Sequence, residues 1–522
     1  MSRLSASLST AILALALLAG ARGDELQVAT PPPAAELLPP LAAPTGKYLG
    51  ALSCASASCH GRQDEAADPG SVNRREYALW LEHDPHAHAS ATVQSQEFER
   101  IVRRVSSGRD DGPVDAAVSA RCAKCHDPAA SEKGSGVFGG QDSSLAEDHL
   151  PPKTPDPIAP HSVARGITCE TCHGPAGEWI AVHYERDVTR ERLVALGMRD
   201  TKDLAVRARL CAGCHVGDGE RDMNHDMIAA GHPPLRFELS AYHDLIRPKH
   251  WPPAERVRAP QFKARLWAEG QAATIQLTLD LVHARASRAA AGERLTPWPE
   301  LAEYDCFACH QRLRLGDRHS KVASIGNRPG LPGWQPWNLA LAGDLAAGNE
   351  AASALAQLRG QMNGALVTDA AQVRDLAAAA RRGIELNRPS SAAEIAALVG
   401  PAIERDAWWA ARGQQLLALR AADLAIRDER LRLQPPPGFV AVTRGVEAWR
   451  GEPIDDGDRR WRSVAAALQF GSRDFEWPAH DWEGFKAPPQ TAPSITSNEQ
   501  LVAELRALLD SVRRGTSEVE SR

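Results

Sequence analysis

Five copies of one short cysteine–histidine pattern constrain what this chain can fold into. Cys122-Ala-Lys-Cys125-His126, Cys169-Glu-Thr-Cys172-His173, Cys211-Ala-Gly-Cys214-His215 and Cys306-Phe-Ala-Cys309-His310 are four copies of C-x-x-C-H. Cys54-Ala-Ser-Ala-Ser-Cys59-His60 is a fifth, with four residues between its cysteines. Two thiols on one turn add across the two vinyl groups of a haem, and the adjoining histidine falls beneath the iron as its proximal ligand. The pattern predicts five haem c groups, held by those ten cysteines and ligated by His60, His126, His173, His215 and His310. The ten cysteines of the chain are all used in these pairs.

Structural zinc and disulfides are the competing readings. Zinc takes four ligands, so C-x-x-C pairs come in twos, whereas five pairs is an odd number and each carries a histidine directly after its second cysteine. A disulfide framework belongs to small chains that lack a core, and this chain has 522 residues.

The chain opens on Met1-Ser-Arg3, an apolar run from Ala11 to Ala19 and then Ala21-Arg-Gly23. Residues 1–23 read as a secretory signal peptide, too short to span a bilayer. No later stretch approaches the length of a span, so the expected product is soluble and periplasmic or otherwise exported, without an integral membrane segment. Export agrees with haem attachment, which in bacterial systems of this type takes place outside the cytoplasm. Residues 24–47, rich in Pro and Ala, read as an extended linker. The formal charge of −6 and the absence of a basic stripe speak against a nucleic-acid binder. They are compatible with docking to basic patches on redox partner proteins, either other cytochromes or a membrane quinol-oxidising complex.

Residues 48–328 contain the five motifs and read as a pentahaem cytochrome c domain of short helices and long turns, with a surface loop at 134–160. Phe262, Leu266, Ala273, Leu277 and Leu281 give one apolar face to a core helix. From 329 to 522 cysteine disappears and Ala, Leu and Arg dominate. Leu345, Leu355, Leu358 and Met362 mark one helix; Ser391-Ala-Ala-Glu394 opens another as a capping box; Trp409, Leu416, Leu417 and Leu424 mark a third; Leu501 to Leu509 is a last amphipathic stretch. This region reads as a cofactor-free helical hairpin or bundle. The expected fold class is mainly α: a multihaem cytochrome c domain with little regular sheet, followed by an α-helical C-terminal domain.

The sixth iron position decides function, because a second histidine makes an electron carrier and an open position admits a substrate. Of eighteen histidines, thirteen lie outside the motifs. Asp84-Pro85 is a cap and first helical residue that puts His86 in the first turn of a helix continuing through Phe98, Ile101, Val102 and Val105. His86 is the expected ligand there, and His83 and His88 are surface or supporting groups. His183, ten residues past His173, folds back over a neighbouring haem. His225 and His232, seven apart, would share a helical face and serve two adjacent haems, with Gly231 and the prolines ending the helix. His161, eight residues before Cys169, is a further candidate. His149, His243, His250, His283, His319 and His480 read first as ordinary core or surface histidines.

Taken as a set, Tyr48-Leu-Gly before Cys54-x4-Cys59-His60-Gly61, Tyr77-x2-Trp80 with Asp84-Pro-His86-Ala, Gly166-Ile-Thr-Cys169-Glu-x-Cys172-His173-Gly-Pro, and Asn224-His225-Asp-x-Ile-Ala-Ala-Gly231-His232-Pro resemble the cytochrome c-554 type of multihaem cytochrome over residues 48–328. Trp298-Pro-Glu-Leu-Ala-Glu-Tyr304-Asp-Cys306 is similar to larger members with a helical C-terminal extension. The resemblance implies a mostly helical fold with haems stacked in close pairs that pass electrons in the periplasm. It also implies a haem packing related to pentahaem nitrite reductase and hydroxylamine oxidoreductase. The chain departs from both: it has no C-x-x-C-K motif and no match to a cross-linking tyrosine region. The fifth motif departs from the tetrahaem carrier.

Three functions follow as expectations. The first is an exported electron carrier with five covalent haems, mostly bis-histidine, and no catalytic residues. The second is a haem oxidoreductase in which one open iron, for instance at Cys54/Cys59/His60, acts on a small nitrogen or sulfur compound. The third is a subunit of a membrane redox complex, docked through its Ala-rich helices.

Overall fold

A computed structural model of the chain describes residues 46–62, 75–128, 166–245, 259–293, 297–304, 333–334, 336–346, 349–365, 367–382, 386–405, 407, 409–433, 460, 461, 464, 468 and 498–521. The described residues all belong to one compact unit, Leu37–Arg522. The expected signal peptide, the 134–160 loop, the Cys306/Cys309/His310 motif, His161 and the 328/329 boundary lie outside the described residues.

Helix is the regular element of the described residues, and strand-like pairing is limited to the isolated bridges Tyr304–Trp334 and Ala346–Leu386. The motif region carries α1 (Glu76–His83), α2 (Gln96–Ser107), α3 (Ala116–His126), α4 (Cys169–His173), α5 (Arg190–Ala195), α6 (Leu204–His215), α7 (His225–Ala230) and α8 (Leu239–Leu245). The 29-residue α9 (Phe262–Ala290) follows. The C-terminal region is α10 (Asn349–Gly364), α11 (Ala370–Arg382), α12 (Ala392–Glu404), α13 (Trp409–Leu433) and α14 (Asn498–Glu520). Mainly helical architecture, as the sequence leads one to expect, is thus what the described residues adopt.

Side-chain caps decide where the motif helices begin. Asp115 accepts from the Ala117 N–H at 2.7 Å to open α3, and Asp203 accepts from Ala205 at 2.8 Å to open α6. Each cap satisfies an orphan amide and contributes about 1 kcal/mol. Both helices then run to the motif histidine, so, numbering the five motifs in chain order from Cys54, the second (Cys122–His126) and fourth (Cys211–His215) occupy the last turn of a capped helix. The third copy is itself the one-turn helix α4.

Two expected helices are interrupted. His86 lies in a 3-10 turn, Pro85–His88, followed by Ala89–Thr92; α2 then starts anew at Gln96. Ser95 is the reason: its hydroxyl accepts from the Phe98 N–H at 3.1 Å and opens a second helix inside the apolar pattern. Leu345 likewise ends a short helix, Ala342–Leu345, separate from α10, which carries Leu355, Leu358 and Met362. The Ser391 cap is present, accepting from Glu394 N at 3.3 Å, while the Glu394 carboxylate reaches Ser390 N at 2.7 Å rather than Ser391 N.

The long helix α9 is the spine. One side, through Phe262, Leu266 and Ala273, joins Ala208, Ala212 and Val216 of α6 with Phe237 and Leu239. The other, through Trp267, Ile275, Leu279 and Val282, joins a core shared with Leu355, Val373, Ile395, Leu419 and Leu505 of the C-terminal helices. The helix predicted as a core element of the motif region is therefore also the central element of the C-terminal bundle. Gly270 permits the α9–α8 approach, because a Cβ there would lie 2.6 Å from Leu239 Cβ. Arg285 on α9 is almost fully buried and pairs at 2.5 Å with both Asp222 and Glu303, tying the segment before His225 to the turn that leads toward Cys306. Breaking such a buried network costs about 3–5 kcal/mol, because it strands an uncompensated charge.

Candidate functional site

The first motif shows how a four-residue spacing does the work of a two-residue one. In the short copies the histidine follows the first cysteine by four positions, a helical relation. In the long copy the His60 N–H reaches the Cys54 carbonyl at 3.3 Å, while Cys59 and Gly61 both donate to the Ser56 carbonyl, at 2.8 and 2.9 Å. The extra residues are looped out, and His60 returns beside Cys54 as it does in the helical copies.

The motifs are neighbours in alternating order. The Cys54 thiol hydrogen-bonds Cys169 of the third motif, which lowers one thiol and raises the other. Cys125 of the second motif hydrogen-bonds Cys214 of the fourth, with the same opposed effect. Burial pushes Cys172 and Cys211 up to about 12. First and third motifs therefore lie side by side, as do second and fourth.

Glu170, inside the third motif, joins it to the first. Its carboxylate is buried (1% exposed) and accepts from the N–H groups of Leu49 at 2.9 Å, Gly50 at 2.7 Å and Ala176 at 2.7 Å. Asp127, directly after His126, accepts from Gly166 N at 3.1 Å and so ties the second motif to the approach of the third. Arg199 donates its backbone N–H to the His173 carbonyl at 2.8 Å and its guanidinium to the Thr171 carbonyl.

Three motif histidines each face a histidine from outside the motifs. His60 and His183 have ring centroids 6.2 Å apart, His86 and His215 5.9 Å, and His126 and His232 6.3 Å. Two imidazole nitrogens about 2 Å from one metal, each with its ring centre roughly 1 Å further out, put the centroids about 6 Å apart. The three spacings match that value.

In all three pairs the histidine from outside the motifs is held through Nδ1. His183 Nδ1 meets the Ile180 carbonyl at 2.8 Å, His232 Nδ1 the Pro233 carbonyl at 2.7 Å, and His86 Nδ1 the Asp84 carboxylate at 2.9 Å. Among the motif histidines, His60 Nδ1 meets Glu76 at 3.0 Å. A proton held at Nδ1 leaves Nε2 with the lone pair a metal needs. Burial also lowers His126 and His232, and lowers His215 to about 4, so these rings are neutral at physiological pH. His86 is pulled down by burial but carried above its ordinary value by the hydrogen bond and charge of Asp84.

These observations fit covalent haem at the first, second and fourth motifs: paired thiols, a proximal imidazole and an opposing imidazole with a fixed tautomer. Among the described residues no group of three or more His, Cys, Asp or Glu side chains converges as a bare metal site requires. Two axial ligands suffice where a porphyrin supplies the other four.

The remaining expectations fare differently. His225 and His232 do not share a helical face, because α7 ends at Ala230 and Gly231, at φ 123°, turns the chain before His232. His225 opens α7 and donates its backbone N–H to Glu300 Oε1 at 2.7 Å, beside the turn Leu301–Glu303. His243 is a buried histidine hydrogen-bonded to Arg207 at 3.2 Å. Cys306, Cys309, His310 and His161 lie outside the described residues. Sequence reasoning did not single out Glu76, Asp127 or Glu170 as site residues. Glu170 alone had a local signal, as a carboxylate between two motif cysteines.

The C-terminal region reaches this site. Trp337 donates Nε1–H to the Phe237 carbonyl at 3.0 Å, and the Phe237 ring stacks on His215 at 5.2 Å. On its far side, Trp337 packs on Gly413 of α13, where a Cβ would lie 2.7 Å from the indole. Among the described residues no helix is long and apolar enough to cross a membrane. Comparison with protein-family profiles, with curated proteins and with solved structures finds no match to this chain.

Proposed function

We propose that the chain is a multihaem c-type cytochrome that transfers electrons, related to the cytochrome c-554 type, with haem bound at each of its five motifs. The observation that carries this reading is the set of three imidazole pairs at 5.9–6.3 Å, each joining a motif histidine to a histidine from outside the motifs. Bound haem supplies a one-electron iron couple. Cys54 and Cys59, Cys122 and Cys125, and Cys211 and Cys214 would hold it as thioethers. His60 with His183, His126 with His232 and His215 with His86 would be the axial ligands. Cys169, Cys172 and His173, and Cys306, Cys309 and His310, are the remaining attachment sites of the proposal.

The chain's own groups serve transfer rather than chemistry on a substrate. Two imidazoles holding one haem iron would leave no position for a substrate at these three motifs. Glu76, Asp84 and the carbonyls of Ile180 and Pro233 hold the ring proton on Nδ1, so that Nε2 would be the ligating nitrogen. Adjacent thiols of the first and third motifs, and of the second and fourth, support cofactors close enough for short electron steps. Partners on this reading are redox proteins, and the compartment is the periplasm or another exported location.

The test is covalent haem content with electron paramagnetic resonance on the oxidised holoprotein. Five haems per chain, all low-spin, is the expected result. A chain purified from haem-loading cells without covalent haem refutes the proposal. One high-spin haem among five transfers the argument to an open-site oxidoreductase.

A further inference from the structure

The three histidine pairs differ in what holds their Nδ1 atoms. The His60/His183 pair has a carboxylate, Glu76 at 3.0 Å, and a carbonyl, that of Ile180 at 2.8 Å. The His86/His215 pair has a carboxylate, Asp84 at 2.9 Å. The His126/His232 pair has a carbonyl, that of Pro233 at 2.7 Å. Among the described residues no carboxylate reaches Nδ1 of His126, His183, His215 or His232. A carboxylate draws the Nδ1 proton more strongly than a carbonyl does, so the opposite nitrogen becomes a more basic, more electron-donating ligand. Such a ligand stabilises the ferric over the ferrous state and lowers the reduction potential.

Fixed cations act in the opposite sense, and they too are unevenly placed. Arg221 Nη1 lies 3.6 Å from the Cys214 sulfur, at the His86/His215 site, and its charge is also felt at Cys125 of the second motif. Asp218, paired with Arg221 at 2.5 Å, offsets part of that charge.

We propose that Glu76 and Asp84 are positioning residues that grade the potentials of these sites, with His60/His183 lowest, His86/His215 intermediate and His126/His232 highest. An electron shared among the three resides mainly at the second motif and least at the first. The inference rests on the reading of the three pairs as axial ligands.

The experiment is a redox titration of the holoprotein followed by low-temperature electron paramagnetic resonance, after covalent haem has been quantified on the same sample. The ring planes set the kind of signal each pair gives, and the rhombic signal lost in His183→Ala identifies His60/His183 among the five proposed haems. At His60/His183 they are 19° apart, which splits the iron π orbitals and gives a resolved rhombic signal; at the other two pairs they are 78° and 79° apart, which leaves those orbitals nearly degenerate and gives highly anisotropic signals. The rhombic species should be the last of the three to be reduced.

Glu76→Gln keeps the shape and removes the charge, and should move the rhombic midpoint upward while leaving the others in place. Asp84→Asn retains a good helix cap and should raise one anisotropic species alone. Glu76→Asp, which keeps a carboxylate, should restore most of the shift seen in Glu76→Gln. A rhombic species that is reduced first, or an equal shift of all three signals in either variant, overturns the grading. So does an unmoved rhombic midpoint in Glu76→Gln. A haem-loaded protein without three low-spin species of these two kinds overturns the axial-ligand reading itself, a separate and recognisable failure.

Discussion

His60 and His183 face each other at 6.2 Å with ring planes 19° from parallel, although two further motifs lie between them in the sequence. Trp179 and Tyr184 meet the edge of the His183 ring at 5.5 and 5.7 Å, so neighbouring aromatics as well as the Ile180 carbonyl orient it. His183→Ala should therefore empty one axial position without unfolding the site. One haem should turn high-spin, the rhombic signal should vanish, and added imidazole should restore a low-spin spectrum. Optical and paramagnetic resonance spectra of the oxidised variant check this.

Glu170 is the acceptor for three backbone amides from two segments. Glu170→Ala removes the partner of Leu49, Gly50 and Ala176, and each buried orphan amide costs about 1–3 kcal/mol. A loss of about 3 kcal/mol or more is expected in urea unfolding, with Glu170→Gln, which keeps one acceptor oxygen, falling in between. Haem attachment at the first motif should suffer with that at the third, because the two are joined here.

Gly413→Ala tests whether the C-terminal bundle supports the motif region. The added methyl would push on Trp337, which holds the Phe237 carbonyl, whose ring stacks on His215. Overpacking of this kind costs about 1–3 kcal/mol. The anisotropic signal that Asp84→Asn shifts should change its shape while the rhombic signal stays as it was. An unchanged spectrum would show that the bundle stops at structural support.

Asp280 on α9 pairs with Arg381 on α11 at 2.6 Å, both side chains buried. Burial pushes the Asp280 carboxyl from 3.8 up to about 6, with the Arg381 charge pulling against it. Between those values the native state binds more proton than the unfolded state, so stability falls as pH rises through the window. Asp280→Asn lacks this dependence. The stability of the native chain relative to the variant should therefore decline from about pH 4 to about pH 6. Urea unfolding of both proteins across that range measures the difference.

Much of the site was legible because its chemistry is local. The motif cysteines and histidines announce themselves by spacing, and Asp84-Pro85 and Gly231 flag nearby histidines by cap and turn chemistry. Which histidine faces which was not legible, because each pair is assembled by contacts between distant segments. The break at Ser95 escaped because the apolar period at 98, 101, 102 and 105 was extended back to the cap at Asp84-Pro85, over a serine that opens its own helix. The helix α11 escaped for the opposite reason: its buried face is Val373, Ala377, Ala378 and Ala380, and alanine carries little periodic contrast. Glu76 lies sixteen residues beyond His60, and nothing near it marks it as the partner of the His60 ring.

The three histidine pairs also have an order along the chain: 60, 86 and 126, then 183, 215 and 232. Every partner of the early group lies in the late group, and the three spans cross one another. In the proposed holoprotein each iron would close a loop of more than a hundred residues, and crossed loops cannot be closed one domain at a time. A chain that emerges from its N-terminus would have haem joined to the first two motifs long before His183 and His232 arrive. Covalent attachment and axial completion would be separate events in biogenesis, and the second would lock all three spans together, as a set of interleaved cross-links does.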